Sequence, residues 1–81
     1  MKHYLVKMET RDGDKEYFEM EIMAFEEEPT EEQIIEEHTC STIDQDHGNG
    51  WYETKDCYRW YQLHSSTEIE PEHVDILKKY L

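Results

Sequence analysis

The sequence predicts an α+β fold: an antiparallel sheet, built from an N-terminal hairpin plus an aromatic strand or hairpin, with two short helices in the order ββα-β(β)-α. Three observations predict it. Two alternating stretches flank an Arg-Asp-Gly-Asp turn, a glutamate-rich segment carries a helix cap, and an amphipathic segment at the C-terminal end opens on a proline. The 81 residues make a single domain, 1–81, near the lower size limit for a self-sufficient core.

Residues 2–10 alternate, with Tyr4, Val6 and Met8 on one side and His3, Leu5, Lys7 and Glu9 on the other, as a half-buried strand does. Residues 15–25 alternate again: Phe18, Met20, Ile22 and Ala24 against Tyr17, Glu19, Glu21, Met23 and Phe25. Two registers compete. A two-residue Asp12-Gly13 turn pairs Thr10 with Lys15 and sets Val6 against Glu19, which puts glutamates on the apolar face. A three-residue loop, Arg11 to Gly13, with Gly13 left-handed in a bulge, pairs Thr10 with Asp14, Val6 with Phe18 and Tyr4 with Met20. That register also sets Glu9 against Lys15 and His3 against Glu21, so patterning and charge both favour it.

The first helix is expected from Glu31 to Thr39. Thr30 and Gln33 have the spacing of a capping box, and Pro29 sits just before the cap, where no helical N–H is needed. Glu31 and Glu32 fall in the first turn, where the helix dipole favours carboxylates. Ile34, Ile35 and His38 form a narrow stripe to be buried, with Glu36 and Glu37 nearer solvent. Cys40 to Gly50 reads as a loop with one anchorable apolar residue, Ile43. Asp44-Gln45-Asp46 begins like a calcium loop, but no glycine follows at the proper place and no glutamate closes it.

Trp51 to His64 is aromatic and extended. A hairpin about Thr54-Lys55-Asp56 is preferred to one long strand, because polar residues interrupt two aromatic pieces. Ser65 to Glu70 reads as a linker. Pro71 opens the last helix, which is expected to reach about Tyr80, with Val74, Leu77 and Leu81 on one stripe flanked by Ile76 and Tyr80. Glu70 and Glu72 at its start and Lys78 and Lys79 at its end suit the dipole.

Charge carries the functional reading. The formal net charge is −13, from 21 acidic and 8 basic side chains. An aromatic content of 12% and clean strand patterns argue that the chain folds despite that charge. Such a charge argues against direct contact with nucleic acid, whose phosphates would repel it, and against anionic membranes. It favours basic partners, and strongly basic surfaces belong above all to nucleic-acid-binding proteins. The N-terminus does not read as a signal peptide, no run approaches transmembrane length, and the expected location is the cytoplasm, of a host cell if the gene is mobile.

Two constellations could carry chemistry. Cys40 and His47 are spaced like Cys57 and His64, so these four could hold a zinc ion in a small metal-stabilised interaction module; the short chelating spacings of common zinc sites are absent. A Cys40–Cys57 disulfide is the alternative in an oxidising compartment. Cys57 with His64 or His47 could pair a thiol with a base, but no third orienting group or oxyanion element is recognisable, and acidic surroundings raise a thiol's pKa. The reading is therefore non-enzymatic and without a cofactor.

Duplex DNA carries one charge per ~1.7 Å of axis, whereas strand residues two apart, such as Glu19 and Glu21, are spaced ~6.8 Å. One strand cannot match that density, but a sheet face with the Phe25–His38 segment could match part of it. The segment YLVKMETRDGDKEYFEMEIMAFEEEPTEEQIIEE is similar in pattern to the opening of many small phage and mobile-element proteins: strand, Arg-Asp-Gly turn, strand, glutamate-rich helix. The resemblance covers roughly the first half of the chain. Several anti-CRISPR proteins are similarly small, acidic and α+β, and block nucleic-acid surfaces of CRISPR effectors. The resemblance implies an inhibitor that acts by occlusion, a DNA mimic whose partner is a basic nucleic-acid-binding protein such as a CRISPR effector subunit. The expected binding residues are Glu19, Glu21, Glu26, Glu27, Glu28, Glu31, Glu32, Glu36 and Glu37. Besides the zinc module, the remaining alternative is an acidic domain whose charge serves solvation only.

Overall fold

The first two alternating stretches pair along their whole length in the computed structural model, which describes residues 1–55 and 59–81. Strand β1 (Lys2–Asp12) and strand β2 (Lys15–Phe25) form the hairpin, followed by helix α1 (Glu31–Thr39), strands β3 (Ile43–Asp46), β4 (Trp51–Thr54) and β5 (Trp60–Ile69), and helix α2 (Pro71–Lys78). The five strands make one antiparallel sheet in the order β2-β1-β5-β4-β3. The α+β class and the element order agree with the sequence reading, and the hairpin within Trp51–His64 is present, with Tyr52 opposite Tyr61. Its connection includes residues 56–58, so the expected turn residue Asp56, like Cys57, lies outside the described residues.

The hairpin register differs from the expected one. Asp12 pairs with Lys15, leaving a two-residue Gly13-Asp14 turn, and Val6 faces Glu21 where Phe18 was expected. Gly13 is left-handed at φ +62°, at the first central position where a type II′ hairpin turn places a glycine. The expected face of β1 is the buried one: Tyr4, Val6, Met8 and Thr10 are all buried. On β2 the parity is reversed. Tyr17, Glu19, Glu21 and Met23 share the covered face, while Phe18 and Met20 are 52% and 46% exposed on the other. The physical reason is helix α1, which supplies a polar partner to glutamates that a bare apolar face would reject.

Two further corrections concern segments expected to be irregular. The Cys40–Gly50 loop contains β3, and the Ser65–Glu70 linker is mostly the second half of β5. Ser65, Ser66, Thr67 and Glu68 pair with Lys7 through Tyr4, past a register shift at His64. Their side chains carry no apolar signal, and the ladder to β1 makes them strand.

The core lies between the sheet and α1. Ile34 and Ile35 of the helix pack on Tyr4, Val6, Met8 and Met23 from the hairpin and Tyr52 and Tyr61 from β4 and β5, with Phe25, Ile43 and Leu63 at its margin. The helix starts as expected: the Gln33 N–H donates to Thr30 Oγ1 (3.2 Å) and the Thr30 N–H to Gln33 Oε1 (2.8 Å). It ends on a left-handed Cys40 at φ 54°. Helix α2 begins at Pro71 and stops at Lys78, short of Tyr80. Its expected stripe is covered only in part, because Val74 is buried while Leu81 is 53% exposed.

Candidate acidic interface

The Phe25–His38 segment runs from the end of β2 into α1, so its glutamates divide by the face each occupies. Those pointing inward are engaged. His38 projects from the inner stripe of α1 onto β2, where its Nδ1 lies 2.7 Å from Glu21 Oε2 and its Nε2 3.5 Å from Glu19 Oε1. Its side chain is only 7% exposed, and its ring meets Tyr61 edge-on at 5.8 Å. Glu21 was expected opposite His3, but the register change places Ala24 there. The sequence signal for the clamp was the Ile34-Ile35-His38 stripe, which put His38 on the buried side. That its partners would be Glu19 and Glu21 depended on the register.

Glu31 and Glu36 also hold the fold. Tyr52 O–H donates to Glu31 Oε2 (3.3 Å), and the Ile43 N–H donates to Glu36 Oε2 (3.0 Å), tying β3 to the helix. Burial, then the charges of Glu31 and Asp46, push the Tyr52 phenol up to about 12, since each disfavours a phenolate. Neither contact could be read from sequence, because each joins positions whose proximity is set by the way α1 lies on the sheet.

Glu26, Glu27, Glu28, Glu32 and Glu37 remain. All five are exposed, and none has a side-chain hydrogen bond or ion pair among the described residues. All but Glu32 line two adjoining hollows that share Phe25 and Gln33. One, of about 350 Å³, is lined by Glu26, Glu27 and Glu28; the other, of about 460 Å³, by Glu36, Glu37, Cys40, Ser41 and Thr42. No Lys or Arg occurs between Lys15 and Lys55. The cations with described partners sit elsewhere: Arg59 beside Asp12, Arg11 beside Glu16 and over the Trp51 ring, and Lys7 over Phe18. Lys2 pairs opposite Phe25 at one end of this stretch; Glu26, Glu27, Glu28, Glu32 and Glu37 nonetheless have no ion-pair partner among the described residues, a chemistry suited to accept lysine and arginine side chains.

The residues weighed as zinc ligands have different surroundings. Cys40 is a free, exposed thiol at the end of α1. His47 stacks on Trp60 at 4.1 Å with its Nε2 3.4 Å from Glu53. His64 meets Phe18 edge-on at 5.4 Å. Cys57 lies outside the described residues, which also leaves the disulfide and the thiol–base pairing there. Among the described residues no three His, Cys, Asp or Glu side chains are grouped to hold a metal ion. The calcium-like Asp46 instead accepts the Gly48 N–H (2.8 Å) in a local turn. No helix of the described residues is long and apolar enough to cross a membrane. No protein-family model matches the chain, and neither a curated protein nor a solved structure is significantly similar to it.

Proposed function

We propose that this protein is a non-enzymatic inhibitor or binding protein whose acidic surface occludes a basic nucleic-acid-binding site on a partner protein. The observation that supports the reading is the unpaired group Glu26, Glu27, Glu28, Glu32 and Glu37, set in a stretch without a lysine or arginine. Carboxylates kept for stability would be expected in pairs, as Glu19, Glu21, Glu31 and Glu36 are. The resemblance to anti-CRISPR proteins makes a CRISPR effector the most concrete partner. Of the nine glutamates expected from sequence, Glu19, Glu21, Glu31 and Glu36 also hold the fold, so a test of binding is cleanest on the unpaired ones.

The test is charge reversal of Glu26, Glu27, Glu28 and Glu32 together, none of which has a side-chain partner among the described residues, though Glu32 suits the positive end of the α1 dipole. At about 1 kcal/mol per rim charge, affinity for a purified effector at physiological salt falls by roughly a hundredfold or more, while stability falls by no more than the ~0.3–1 kcal/mol that the helix dipole sets at Glu32. Undiminished binding by that variant would remove the basis for the proposal.

A further inference from the structure

Strand β2 is an edge strand of unusual length. Its 11 residues have only β1 as a strand neighbour among the described residues, and the ladder between them runs without a register shift. At ~3.4 Å per residue it spans about 34 Å, nearly the 37 Å long dimension of the molecule. Proteins usually blunt such an edge with proline, a bulge, a short strand or charged side chains. Lys15–Phe25 contains no proline and no bulge, and past Lys15 its charges, Glu16, Glu19 and Glu21, are all acidic, so they turn away an acidic strand but not a basic one.

The exposed side chains beside this edge alternate in chemistry. Phe18 and Met20 lie on one face, 52% and 46% exposed. Glu19 and Glu21 lie on the other, their side chains 48% and 41% exposed although His38 touches both. We infer that β2 accepts an extended segment of a partner protein as a sixth strand, one that alternates basic with apolar residues, the basic ones over Glu19 and Glu21 and the apolar ones over Phe18 and Met20. Main-chain hydrogen bonds along the edge would supply affinity, and the alternating side chains selectivity.

Charge selects this occupant over a second copy of the chain. The self-pairing that overlaps the whole strand is centred on Met20, and it sets Glu19 against Glu21 of the second copy between molecules of net charge −13 each. A basic segment meets the same carboxylates with the opposite sign.

The inference rests on the reading of a basic partner and adds to it a mode of docking, so its test must separate the two. The probe is an end-blocked 11-residue peptide alternating lysine and valine, added to the isotope-labelled full chain at physiological salt. A control peptide carries proline in place of each valine, which keeps the charge and removes the N–H groups of the residues set opposite Phe18 and Met20, the ones that face the edge in this register. The alternating peptide should bind about tenfold or more tighter than the control, the worth of one or two net main-chain hydrogen bonds. Amide exchange should slow at every second residue of β2. Met20→Lys, at an exposed position, should weaken the alternating peptide and leave the control unaffected. Equal binding of both peptides, with changes confined to Glu26–Glu37, would overturn strand addition and leave the basic-partner reading standing. Binding of neither peptide would overturn both.

Discussion

Replacing His38 by alanine tests how the acidic segment is held in place. The substitution removes the contact to Glu21 (2.7 Å), the longer one to Glu19 (3.5 Å) and the edge-on packing against Tyr61 (5.8 Å). The hydrogen bond is worth ~1 kcal/mol, at the low end for a charged acceptor because Glu21 is partly in water. The ring contact adds ~0.5–1.5 kcal/mol, and carboxylates left on the covered face lose their compensation. The expected loss is about 2 kcal/mol. α1 is only 9 residues long and cannot stand without docking, so the loss must appear in the global transition. Urea unfolding followed by circular dichroism measures it. A cycle with Glu21→Gln should give a coupling of about 1 kcal/mol. A loss below ~0.5 kcal/mol, or no coupling to Glu21, would refute the claim that His38 is what permits glutamates on the covered face.

Three other outcomes follow from single contacts. The Tyr4 hydroxyl is buried with no partner among the described residues, so Tyr4→Phe should stabilise the fold by about 1 kcal/mol in the same assay. Thr30→Ala removes the capping box and should cost about 1 kcal/mol, with most of the change in the helical signal. Tyr52 has a folded-state pKa raised from 10.0 to about 12. Its neutral form thus contributes stability that is fully present below pH 10 and lost as pH rises through about 12. Between those limits the stability of the protein should fall more steeply than that of Tyr52→Phe, and parallel slopes would contradict the assignment.

Elements with an internal signal were legible in the sequence. α1 carries its own cap and stripe, α2 its own proline, and β1 its own alternation, so local rules sufficed. What was not legible depended on pairing. The register of β2 turned on whether its apolar or its acidic parity faced the core, and apolar matching favoured Phe18 over Val6. The structure sets Glu21 there because His38 arrives from a helix 17 residues away in sequence. The Ser65–Glu68 stretch lacks apolar alternation, yet it is strand because β1 offers it a ladder. The acidic site was legible as composition only. Which glutamates are structural, and which stand free, followed from the docking of α1.

The most direct test of the account is competition. The tagged protein would be mixed with a CRISPR effector at physiological salt, with and without the cognate nucleic acid, beside the variant reversed at Glu26, Glu27, Glu28 and Glu32. Capture should be lost when nucleic acid fills the groove and lost again in the variant. Capture that survives both changes would contradict the proposed occlusion.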